Sequence, residues 1–136
     1  MDKKMKVLYL ILKQKYFDAI MAGRKVQEFR EVRRKNVKKY LQLDTDGYEV
    51  EDEKGNAQPI KYDAIYFAVG YEKCRDTALV EVVGSHCEIF KDEEGNPIIY
   101  EDGIDEKTGE PLVWVAEQVV YDLGKVLEHN IRDKSK

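Results

Sequence analysis

Two stretches constrain the fold of this chain more than any other feature. "DAIYFAVGY" (63–71) and "TALVEVVGSHCEIF" (77–90) are short, rich in β-branched and aromatic residues, and bounded by polar or glycine-bearing turns. Val7 to Leu12 is a third run of this kind, consistent with a buried strand. Gly84 is expected to mark a bulge within the second stretch. The closing segment "LVWVAEQVVYDLGKVLEHN" is two-sided: Val113, Val115, Val119 and Val120 favour a strand, whereas Val119, Val120, Leu123, Val126 and Leu127 also suit a helix over 119–128. At 136 residues a single domain spanning 1–136 is expected. The fold class is mainly β with short helices (α+β), its strands spaced as in a small barrel.

Helical signals are few. In "KQKYFDAIMAG", Phe17, Ile20 and Met21 recur at the i, i+3, i+4 spacing, and Gly23 suits a C-terminal stop. In "RRKNVKKYLQL", Val37, Tyr40 and Leu41 predict a short basic helix. Between the strand-like stretches stand two acidic, turn-rich segments, near 44–58 and 91–111. The dipeptides Asp46-Gly47 and Gly55-Asn56 mark the first as a hairpin that pairs Tyr48–Val50 with Ile60–Tyr62. Gly95-Asn96 and Thr108-Gly109 give hairpin signals in the second.

Charge divides the chain. Met1 to Tyr40 carries 13 Lys and Arg against 4 Asp and Glu, and Leu41 to Lys136 carries 10 against 23, for a net charge of -4. A surface built from the first third attracts anions although the whole chain is acidic. The opening residues Met1, Asp2, Lys3, Lys4 and Lys6 before an apolar run look superficially like a signal peptide, but the run ends at Lys13 without a cleavage site. No stretch approaches the roughly 18 apolar residues of a membrane span. Cys74 and Cys87 show no C-x-x-C spacing, so a cytoplasmic protein with free thiols is expected. His86, Cys87, Cys74 and His129 lack zinc-site spacing, "DTDGYEVEDE" lacks the ligand order of a calcium loop, and neither a metal nor a cofactor is expected.

The cationic third contains "GRKVQEFRE" (23–31). Read as a strand from Lys25 to Val32, it sets Val26, Glu28, Arg30 and Val32 on one face and Lys25, Gln27, Phe29 and Glu31 on the other, unless a bulge at 23–25 changes the parity of Lys25. One face must be inward, so a charged side chain faces inward or lines a groove and needs a partner, and Glu28 and Arg30, two apart on the same face, can reach each other or a shared ligand.

"LILKQKYFDAIMAGRKVQEFREV" resembles the opening signature of ASCH domains, in which a strand, a short helix, a Gly-x-Lys and a Glu-x-Arg follow one another, here as Gly23, Lys25, Glu28 and Arg30. "IYFAVGY" (65–71) and "YDLGKVLE" (121–128) resemble the family's central and closing segments, and the two acidic stretches look like insertions. The resemblance implies a PUA-like fold, a small β-barrel flanked by one to three helices, related to modules that bind RNA. It also implies a groove where Lys25, Glu28 and Arg30 converge.

On that reading the chain binds RNA or a nucleotide-like small molecule. Arg30 offers a donor fork, Lys25 a mobile charge, and Glu28 an acceptor for a base amino group. Arg24 and Tyr71 complete the ligand-binding set, Tyr71 as a stacking ring. Lys13, Arg33, Arg34, Lys38 and Lys39 are peripheral phosphate contacts. Tyr66 and Trp114 are read as core aromatics. The structural alternative is an ion-pair network that only organises the fold, with the basic run as a solvated helix face. The catalytic alternative is a metal-independent hydrolase of acetylated cytidine or of RNA, in which Lys25 and Glu28 are the catalytic residues. The hydrolytic relatives pair the lysine with a threonine three residues on, however, and Glu28 holds that position. A third alternative is that the acidic hairpins dock a basic protein partner.

Overall fold

The computed structural model describes residues 4–71 and 73–131. Met1, Asp2 and Lys3 of the signal-like opening lie outside the described residues. The elements in chain order are β1 (Val7–Leu12), α1 (Gln14–Met21), β2 (Gln27–Val32), α2 (Val37–Tyr40), β3 (Ala64–Val69), β4 (Thr77–Ile89), β5 (Ile99–Ile104), β6 (Pro111–Val115) and β7 (Glu117–Asn130). Among the described residues the protein is thus mainly β with two short helices. A five-stranded sheet has the order β1-β3-β4-β7-β2, with β1 and β2 at its ends, and β5 and β6 form a separate two-stranded sheet. The segment that suited either strand or helix, 119–128, is strand.

The chain groups into two compact units, one of Met1–Glu28, Lys61–Ser85 and Tyr121–Lys136, the other of Phe29–Ile60 and His86–Val120. In the first, β1 runs parallel to β3 with Tyr9 opposite Tyr66, and β3 runs antiparallel to β4 with Tyr66 opposite Leu79. Alternation along β1 turns Leu8, Leu10 and Leu12 inward and Tyr9 outward. β3 reads as a nearly continuous apolar run because it is paired on both edges and lies against α1, which buries Phe17 and Ile20. Ile65, Phe67, Ala78, Val80 and Tyr121 complete this core. Gly84 and Gly124 are places of close approach: a Cβ on Gly84 would meet Asp122 Oδ2 at 3.0 Å, and one on Gly124 would overlap the side chains of Glu81 and Val83.

The second unit buries Val32, Tyr40, Leu41, Ala57, Ala116, Val119 and Val120. Its turns share one device. In "DTDGY", "DEKGN" and "DEEGN" the Oδ1 atoms of Asp44, Asp52 and Asp92 each accept from the backbone N–H groups two and four residues on, at 2.9–3.0 Å. Gly47, Gly55 and Gly95 close the turns with φ of 88°, 81° and 85°.

These turns correct the expected hairpin. Tyr48–Val50 does not pair with Ile60–Tyr62: Leu43 bridges Glu49, Glu51 bridges Ala57 and Leu41 bridges Pro59. Each D-x-x-G reverses the chain by itself, so the acidic stretch folds back twice rather than once. Ile60 N–H instead reaches Tyr40 O at 2.8 Å.

Candidate functional site

In the first unit the Gly-x-Lys segment is shaped by the end of α1. Gly23, at φ 76°, donates its N–H to Ile20 O, and the N–H groups of Arg24 and Lys25 both donate to Ala19 O, at 2.9 and 3.1 Å. The chain is therefore held in a turn through Lys25, and the strand begins only at Gln27. The face assignment for Lys25 and Val26 fails for this reason: Val26 is exposed, and Lys25 reaches Glu28 from the turn.

Lys25 Nζ lies 3.1 Å from Glu28 Oε1. The Glu28 side chain is 7% exposed and that of Lys25 is 21% exposed, so the acid is the buried member of the pair. The ammonium also stands 5.7 Å from the centre of the Tyr16 ring, within range of a cation–π contact. Next to it, Gln27 donates to Asp122 Oδ1 at 2.7 Å, tying the start of β2 to β7. A buried acid with a cationic partner is the arrangement that alternation along β2 demanded, although the partner comes from the turn.

Of the other expected ligand contacts in this unit, Arg24 and Lys13 are exposed. Tyr71 is 85% exposed and follows Gly70, whose carbonyl accepts from Arg75 Nη1 at 2.7 Å. A further pair of rings escaped the sequence reading: Tyr9 is exposed, and its centroid is 5.5 Å from that of Tyr66. Tyr66 is half-buried rather than a core residue. The clue in the sequence was Tyr9 as the single aromatic in an aliphatic strand.

In the second unit Arg30 is half-buried on β2, between exposed Phe29 and Glu31 and two residues before fully buried Val32. Arg33 stacks 4.2 Å over the Tyr100 ring, with its Nε 3.4 Å from Glu31 Oε1. Arg34 stands 5.9 Å from the Trp114 ring and Lys39 5.7 Å from the Tyr40 ring, while Lys38 is exposed. The basic run is therefore laid partly along aromatic faces. Trp114 is half-buried, with its indole Nε1 donating to Val32 O at 2.9 Å. This fixes the ring but leaves one side of it on a cavity.

That cavity, of about 560 Å³, is lined by Arg34, Tyr48, Glu49, Glu51, Trp114 and Glu117 among others. Glu117 is 6% exposed, and burial, a hydrogen bond with Glu49 and the charges of Glu49 and Glu51 push its carboxyl up to about 8. Burial, with the same two glutamates Glu117 and Glu49, pushes the Cys87 thiol up to about 12, which leaves it a poor nucleophile. Sequence reasoning missed this site because Glu49 and Glu51 belong to a stretch read as an acidic hairpin and no local pattern marks Glu117 as buried.

Among the described residues no group of three or more His, Cys, Asp and Glu is placed to hold a metal ion, and no helix is long and apolar enough to cross a membrane. Compared with protein-family models, curated proteins and solved structures, the chain matches none.

Proposed function

We propose that this chain is an ASCH-type module with a PUA-like arrangement of its strands, and that it binds RNA or a nucleotide-like ligand through the segment bearing Lys25, Glu28 and Arg30. The observation that carries the reading is the ion pair at 3.1 Å between Lys25 and the buried Glu28. Burying a carboxylate to hold a partly exposed ammonium is a costly way to fill space, since apolar residues of similar volume usually do it at least as stably. Its place beside a turn with exposed Arg24 fits a site that presents cation and acceptor together to a polar ligand.

The rings agree with this class of ligand. Tyr71 at the end of β3 and the Tyr9–Tyr66 pair offer flat surfaces of the kind on which unpaired bases stack. Glu28 occupies the position where the hydrolytic relatives carry a hydroxyl, so the lysine faces a carboxylate instead of a nucleophile. This favours binding over hydrolysis. The test is the affinity of a labelled single-stranded RNA for wild type, Lys25→Ala and Arg30→Ala. Loss of binding in both variants supports the reading, and wild-type affinity in both contradicts it.

A further inference from the structure

The cavity of the second unit has a composition that suits a different ligand from RNA. Three carboxylates, Glu49, Glu51 and Glu117, line it against one guanidinium, that of Arg34, and the rings of Tyr48 and Trp114 supply aromatic wall. We propose that this cavity binds a small organic amine, with its ammonium on the Glu49, Glu51 and Glu117 carboxylates and its apolar body against Tyr48 and Trp114. The proposal is independent of Lys25 and Glu28.

The volume of about 560 Å³ lies within the range of small-molecule sites. An anion entering it meets a surplus of negative charge. A neutral molecule leaves the surplus of acid over Arg34 unchanged, whereas a cation lets the nearly buried Glu117 ionise beside Glu49 and Glu51 with a counter-charge at hand. Aromatic faces add attraction for the same sign of ligand. Among the described residues, the charged and titratable groups that line the cavity with Glu117 or interact with it are Tyr48, Glu49 and Glu51 of the first acidic hairpin, Cys87 of β4 and Arg34 ahead of α2. The thiol stays neutral at ordinary pH. Arg34 is stationed at the Trp114 ring, its guanidinium carbon 5.9 Å from the ring centre.

Glu117 and Glu49 share a hydrogen bond, which requires that one of them be protonated, and Glu117 holds its proton to about pH 8. An arriving ammonium takes the place of that proton as the positive partner. Binding at pH 7 therefore releases a proton, and affinity for a permanently charged amine rises with pH toward 8.

Trp114 is the only tryptophan, so its fluorescence reports on the cavity directly. The full chain is titrated with phenethylamine and with 2-phenylethanol, which has the same body without the charge. A saturable fluorescence change is expected with the amine, with affinity for the alcohol at least about tenfold lower. Glu117→Gln, which keeps the shape of a protonated glutamate, and Glu51→Gln, at an exposed position, should each weaken the amine severalfold and leave the alcohol unaffected. The heat of amine binding in two buffers of different ionisation enthalpy should show the released proton. Equal affinity for amine and alcohol, unchanged amine affinity in both variants, or the absence of any saturable signal overturns the proposal.

Discussion

Glu28 Oε1 and Lys25 Nζ are 3.1 Å apart, and of the two it is the acid that is withdrawn from solvent. That asymmetry predicts unequal costs. Lys25→Ala removes the ammonium from a carboxylate that stays buried and should destabilise the fold by about 3 kcal/mol. Glu28→Gln should cost less, because the lysine stem can carry its charge outward to water. Denaturant unfolding of the two variants and of the double variant checks this, and a double variant more stable than Lys25→Ala is expected.

Glu117 makes stability fall as pH rises. Its carboxyl is raised from an ordinary value of 4.5 to about 8 in the folded chain, so between those values the unfolded state has released a proton that the folded state retains. The Glu117 contribution to stability is full below about pH 4.5, declines by at most about 1.4 kcal/mol per pH unit through the interval, and levels off above pH 8. Thermal melts of wild type from pH 5 to 8.5, set against Glu117→Gln, measure it. The variant should show a flatter profile and melt higher than wild type at pH 8.

Gly124 is needed for space. A Cβ there overlaps the Glu81 and Val83 side chains, and the Glu81 carboxylate can swing away more readily than the β-branched valine. Gly124→Ala should cost about 1–3 kcal/mol. Gly124→Ala combined with Val83→Ala should recover part of that loss in denaturant unfolding, since the second change removes the less movable obstacle.

Gly47, Gly55 and Gly95 have positive φ with no crowding side chain closer than 3.7 Å, so their requirement is conformational. Alanine at Gly95 should cost about 1 kcal/mol, the penalty of the left-handed region for a residue with a Cβ. Asparagine there should cost less, and chemical denaturation of the two variants separates them.

Local pattern was readable and partner choice was not. β1 runs over Val7–Leu12, the stretch picked out by its composition, and Phe17 and Ile20 are the buried face of α1 as their spacing requires. These outcomes depend on neighbours within a turn or along one strand. Tyr48–Val50 was assigned the wrong partner because strand pairing depends on where the chain reverses, and the recurring D-x-x-G places two reversals where one was expected. At the candidate site, alternation foretold a buried charge on β2, and Glu28 is that charge. That Lys25 meets it from a turn follows from the double acceptance by Ala19 O, which no periodicity encodes. Glu117 was illegible because its raised carboxyl depends on burial and on Glu49 and Glu51, which lie on a hairpin remote in sequence.

The most direct test of nucleic-acid binding is a titration of labelled single-stranded RNA at low and physiological salt against wild type, Lys25→Ala and Arg30→Ala, with acetylated cytidine supplied separately to detect turnover. Wild type should bind at low salt and weaken steeply as salt rises. Both variants should lose roughly tenfold or more in affinity, and the nucleoside should remain intact. An affinity unaltered by either substitution, no binding of RNA at low salt, or hydrolysis of the nucleoside that Lys25→Ala abolishes would contradict the account.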